Sequence, residues 1–389
     1  MRFLRTLSTS RLVLLVFAVV VLAAALAAIA VAASGGGGPT PPPKPLAKAV
    51  HDALAAPAPQ GITARIKFTN KLFPSGAITG QVGSALMSGA SGRLWATNDG
   101  RGRLELQSDA GDVQIVWNDT RVTVYDASSN TVYRATLPAR SRATPERSGE
   151  ASVAKIKDFL TAVEKHVELS GAEPSDVAHH AAYTVRISPK HDGGLLGAGE
   201  LAWDATRGVP LRIAVYAHGA SSPVLELKAT NVSFGAVPAS DVDVSPPAGA
   251  KSIDLGSLSR GADRAGSHVN TSGFAAVKAG AGFPVVAPAT LVGLPRQDVR
   301  LVGNGDSKAA LIVYGHGLGA IVVIERKAGA HTNNGVMGSL PKISLDGVTA
   351  HELATQLGTA LTWENGRVSY VLAGSVPPAA AEAAARALR

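Results

Sequence analysis

Arg103-Leu104-Glu105-Leu106-Gln107, Asp112-Val113-Gln114-Ile115-Val116-Trp117 and Arg121-Val122-Thr123-Val124-Tyr125 decide the fold. Alternate positions in each run are apolar, the period of a pleated strand with one buried face. Asp109-Ala110-Gly111 and Asn118-Asp119 punctuate the runs. Connections this short make sequential strands antiparallel neighbours. The parity places Leu104, Leu106, Val113, Ile115, Trp117, Val122 and Val124 on one face. Glu105, Gln114 and Thr123 take the other.

The same pattern extends in both directions. Upstream, Ile62, Ala64, Ile66 and Phe68 alternate with polar residues, and Gly92 to Thr97 follows as a strand. Downstream comes Thr131 to Ala135, then an amphipathic helix from Ser152 to Leu169. Its apolar stripe is Val153, Ile156, Phe159, Leu160, Val163 and Val167. Strands then resume at Tyr183–Ile187, Leu195–Trp203, Val209–Tyr216 and Val224–Phe234. A short helix, Leu46 to Leu54, precedes them all and ends before Pro57 and Pro59. This order predicts an α+β fold over residues 46–235, a curved antiparallel sheet wrapped on a helix. Residues 236–272, with Pro246-Pro247 and a Gly/Ser/Ala run, read as a linker. Residues 273–389 read as a second, small α+β domain. Its strands are Lys308–Tyr314, Ala320–Arg326, Lys342–Leu345, Leu361–Glu364 and Val368–Leu372, with a hairpin signal at Asn365-Gly366. A closing helix from Pro378 to Leu388 completes it.

The N-terminus sets the compartment. Arg2, Arg5 and Arg11 precede an uncharged apolar run from Leu12 to Ala33. As a helix it is about 33 Å long, enough to span a hydrocarbon core. Residues 1–33 therefore read as a transmembrane anchor or a signal peptide, the second supported by small-x-small sites around Ala30 and Ala32. Either reading puts the bulk of the chain outside the cytoplasm, tethered single-pass to the plasma membrane or secreted. The Gly/Pro tract of residues 34–45 is a spacer.

Composition removes several functions. The 389 residues include no cysteine, which excludes disulfides, thiolate metal sites and a lipidated cysteine. The formal charge is +8, but the arginines are scattered and not interleaved with aromatics, so nucleic-acid binding is not expected. There is no G-x-S-x-G elbow and no H-E-x-x-H. Gly315-His316-Gly317-Leu318-Gly319 leads into a strand rather than a helix, so it reads as a hairpin turn and not a phosphate loop. His179-His180 with His191 and Asp192 lacks the spacing of a metal shell, because adjacent strand residues point to opposite faces. His351-Glu352 has no partner histidine. Neither an enzyme nor a bound cofactor or metal is expected.

The element order, carried by Leu46–Leu54, Gly61 to Phe68, Gly92-Arg93-Leu94-Trp95-Ala96 and Val132-Tyr133-Arg134, resembles the LolA/LolB/RseB-type superfamily of extracytoplasmic proteins related to lipoprotein carriers. Leu361-Thr362-Trp363-Glu364 and Val368 to Leu372 look like a small domain appended to such proteins. The resemblance implies a half-barrel that holds a lipid or lipoprotein acyl chain. Leu104, Leu106, Val113, Ile115, Trp117, Val122, Val124 and Phe159 are the candidate groove residues, taken from the parity and the helix stripe. The alternative function is an RseB-like envelope-stress regulator, which binds a membrane regulatory protein such as an anti-sigma factor.

Overall fold

The computed structural model describes residues 39–72, 85–137, 152–191, 193–254, 271–329 and 340–388. The candidate anchor, residues 1–33, lies outside them, as does Asp192. Among the described residues no helix is long and apolar enough to cross a membrane. These residues divide between two compact units. The first falls within residues 1–71, 83–190 and 197–256, and the second within 72–82, 191–196 and 257–389.

The first unit is built on β1 (Gly61–Asn70), β2 (Ala90–Thr97), β3 (Gly102–Ser108), β4 (Gly111–Trp117), β5 (Arg121–Asp126), β6 (Thr131–Thr136), β7 (Val167–Leu169), β8 (Glu173–Val177), β9 (His180–Pro189), β10 (Leu196–Asp204), β11 (Pro210–Ala217), β12 (Leu225–Phe234) and β13 (Lys251–Asp254). They form one sheet in the order β13-β6-β5-β4-β3-β2-β1-β12-β11-β10-β9-β7, with β8 also on β9. From β1 to β6 every neighbour is the next strand in sequence, the meander its short turns require. The return strand β12 closes on β1, with a register shift between Arg65 and Ile66. Such a bulge bends a strand and increases its local twist.

Three helices of this unit matter for the site. α1 (Leu46–Ala55) lays Leu46, Val50 and Ala53 against Tyr183, Val185 and Trp203. α2 (Ala85–Ser88) packs on β1, β3 and β4. α3 (Val153–Val163) begins at Ser152, whose hydroxyl accepts from the Lys155 amide, and packs mainly on α1. The expected helix from Ser152 to Leu169 is thus shorter. Glu164 closes it, and Val167-Glu168-Leu169 becomes β7 on β9. Val163 and Val167 fit a helical stripe, but Val167 and Leu169 also fit a strand, and pairing with β9 decides.

The expected linker is ordered in part. It holds a turn of helix, α4 (Ala239–Val242), and β13, which pairs in parallel with β6. Ile253 is the one apolar residue in β13, so periodicity carries no signal there. Residues 255–270 lie outside the described ones.

The second unit carries β14 (Thr271–Ser272), β15 (Thr290–Leu291), β16 (Leu294–Val302), β17 (Ala309–Tyr314), β18 (Ile321–Lys327), β19 (Lys342–Leu345), β20 (Val348–Thr355), β21 (Gly358–Asn365) and β22 (Val368–Gly374). Their order is β14-β16-β17-β18-β22-β21-β20-β19, with β15 on β16. Gly315 to Gly319 is the turn between antiparallel β17 and β18. α5 (Phe274–Gly280) and α6 (Pro378–Arg386) add Val277, Ala381, Ala384 and Ala385 to the core with Ile312, Ile321, Leu361 and Leu372. β16 and β20 carry few alternating apolar residues, which hides them from a periodicity reading.

Candidate ligand-binding face

Register assembles the apolar face of the first sheet. Leu104 on β3 stands opposite Ile115 on β4, and Ile115 opposite Val124 on β5. Leu106 faces Val113, and Trp117 faces Val122. Seven of the eight candidate residues therefore lie side by side. Ala64, Ile66 and Leu94 continue the same face onto β1 and β2, and Ala229 and Val232 carry it onto β12.

Burial grades across this face. Leu94, Leu104, Leu106, Val113 and Trp117 are buried, whereas Ile115, Val122 and Val124 are half-buried. Gly102 lies opposite Trp117, and a Cβ at that glycine would overlap the indole ring. The missing side chain is what makes room for the ring beside β3. At the β1–β3 part, α2 contributes Ala85 and Leu86, and the Asn70 side-chain amide donates to the Leu86 carbonyl at 2.7 Å.

Phe159 does not join the face. It sits on α3 and is 62 % exposed. The stripe reading assigned it inward, but α3 packs on α1 rather than over the meander, and Ile156 is the buried residue of that helix. α1 in turn covers Tyr183 and Trp203, which alternate along their strands with Ala182 and Ala202 of the apolar face.

Charge reaches this face at one point: Asp126 on β5 stands opposite Val113, is buried, and accepts from the Ser128 hydroxyl at 2.6 Å. A separate charged cluster lies on β9 to β12. Arg212 donates to Glu200 at 2.6 Å and to Glu226 at 2.7 Å, Arg186 donates to Glu200 at 2.7 Å, and the Tyr216 hydroxyl donates to Glu200 at 2.7 Å. Burial opposes ionisation of Glu200, but hydrogen bonds from Arg212, Tyr216 and Arg186 outweigh it and hold its carboxyl below the usual range. The histidine pair is also structural. Ala178 and His179 both have positive φ in the β8–β9 turn, and His180 Nδ1 lies 3.1 Å from the buried Asp204 carboxylate. No group of three or more metal-ligating side chains occurs among the described residues.

No protein-family model matches the sequence, and no curated protein sequence matches it. Solved structures do. The MucA/MucB complex of Pseudomonas aeruginosa aligns at 15 % identity, over 87 % of this chain and 94 % of that one, with a TM-score of 0.41. A LolA superfamily protein from Nitrosomonas europaea aligns at 11 % identity over 52 % of this chain and 98 % of that one, at a TM-score of 0.24. A putative outer membrane lipoprotein-sorting protein domain from Vibrio parahaemolyticus aligns at 10 % identity over 51 % and 95 %, at 0.23. These are proteins of the group that the sequence resembles. The longer alignment takes in both units of this chain, and the two shorter ones span about half of it.

Proposed function

We propose that the chain is a non-catalytic, extracytoplasmic binding protein, tethered to the plasma membrane through residues 1–33, that holds a lipid or lipoprotein acyl chain against the apolar face of its first sheet. The observation that carries the reading is the half-buried row Ile115, Val122 and Val124, continuous with the buried core of the same face. Covering such a row with an alkyl chain contributes about 0.8 kcal/mol per buried CH₂. Ten methylenes would supply on the order of 8 kcal/mol before ordering costs. A flat apolar row recognises chain length and not chemistry, which suits a carrier.

The test is native mass spectrometry of the purified full chain, looking for a co-purifying lipid. Wild type should carry one, and Gln114→Arg, on the other face of β4, should keep it. Ile115→Arg should lose it while retaining a near-normal melt. Lipid-free wild-type protein overturns the proposal, and binding of a membrane regulatory protein then becomes the working function. If Ile115→Arg unfolds the chain outright, the row is filled core and the proposal fails as well.

A further inference from the structure

The reverse face of β1 and β2 carries three cations, Arg65, Lys67 and Arg93, that have no acidic partner among the described residues. Arg65 and Lys67 alternate with Ala64, Ile66 and Phe68, so they point away from the apolar face. Across β2, Arg93 stands directly opposite Arg65, and across β12, Lys228 stands directly opposite Lys67. Like charges at opposed positions destabilise an antiparallel pair. With strands about 4.8 Å apart and same-face residues roughly 7 Å apart along a strand, the four cations occupy one small patch.

Arg65, Lys67 and Arg93 are exposed, and none has an ion pair with a described residue. The acid opposite Arg93, Glu105, is taken by Arg103. The acid nearest Lys228, Glu226, lies 3.6 Å from it and is held at 2.7 Å by Arg212. One strand further on, Arg212 has two carboxylates of its own. Arg103, Arg186, Arg212 and Lys228 thus each face a carboxylate, whereas among the described residues the exposed trio faces none. Trp95, half-buried between Thr63 and Arg103 on the same face, borders the patch with the Arg103 guanidinium over its ring at 4.9 Å.

We propose that this basic patch, centred on Arg65, Lys67 and Arg93, docks the first unit onto the anionic phospholipid headgroups of a bilayer. The patch is part of an extended sheet. β1 and β2 are interior strands whose backbone groups are committed to neighbours, so an acidic peptide could not add as a further strand. The three side chains are exposed and stand at separate strand positions, so they do not enclose a single anion. A spread of cations without geometric selectivity matches a surface of many phosphates. Each Lys or Arg near an anionic surface is worth about fivefold in partitioning, so the trio gives on the order of a hundredfold.

The inference is independent of the acyl-chain reading, because the patch and the apolar face are on opposite sides of β1. The experiment is lysine-acetylation footprinting of the full chain mixed with excess nanodiscs, of phosphatidylcholine alone or with phosphatidylglycerol at roughly one lipid in three. Lys67 labelling should slow at least threefold in the anionic discs relative to the neutral ones, and recover in high salt. Lys155 and Lys157 on α3 serve as the reference. Arg65→Gln/Arg93→Gln should remove most of the protection of Lys67 while the circular dichroism stays unchanged, and Ile115→Arg should leave that protection intact. Equal labelling of Lys67 in both discs, or equal slowing at every lysine, overturns the proposal. So does stronger protection by soluble poly-glutamate than by the anionic discs, which would point to an acidic protein partner instead.

Discussion

Glu325 offers a sharp test of the second unit. It lies on β18 opposite Tyr370 of β22, and it is fully buried. One carboxyl oxygen accepts from the Val286 amide at 2.9 Å, and the other has no hydrogen-bond partner among the described residues. Burial pushes its carboxyl up to about 7 from an ordinary 4.5, with the Val286 hydrogen bond only partly opposing it. In the unfolded chain the group loses its proton near 4.5, and in the folded chain it keeps it to about 7. Below 4.5 both states are protonated and there is no penalty. As pH rises through the window between the two values, stability falls, and above about 7 the loss is complete. At about 1.4 kcal/mol per pH unit, this gap corresponds to about 3 kcal/mol. Glu325→Gln keeps an acceptor for the Val286 amide and removes the titration. Amide exchange in β17, β18 and β22 reads the second unit by itself. At pH 8 the variant should be more stable than wild type by roughly 3 kcal/mol, and the difference should shrink toward zero near pH 4.5. Parallel pH profiles for the two proteins would refute the reasoning.

Two further outcomes follow from the first sheet. Gly102→Ala should cost roughly 1–3 kcal/mol and change the near-ultraviolet dichroism of Trp117, because the new Cβ overlaps the indole; an unchanged melt would mean that the ring is free to move. Phe159→Ala should change the melting free energy by no more than about 0.5 kcal/mol and leave any bound lipid in place, since the ring is exposed and off the apolar face. Loss of lipid from that variant would bring α3 back into the site.

Parity alone was enough to bring Leu104, Ile115 and Val124 into one row. A strand side chain has only two directions, and connections of two and three residues leave antiparallel neighbours as the ready solution. The same rule put Arg65 and Lys67 on the reverse face, but could not show that Arg93 and Lys228 would stand opposite them. Register across β1 and β12 joins residues far apart in sequence, and no local period encodes it. The limits elsewhere have the same origin. Val167 continues the helical stripe of Val163 and equally alternates with Leu169 as in a strand, and only the edge of β9 made Val167–Leu169 a strand. Phe159 belongs to an amphipathic stripe whose partner the sequence does not name; packing on α1 left it outward. β13 has one apolar residue and is held by backbone pairing with β6, which any sequence can provide. Periodicity reports which side of an element is apolar, because that follows from backbone geometry within the element. What that side packs against depends on contacts between distant segments, and there the tertiary structure decided.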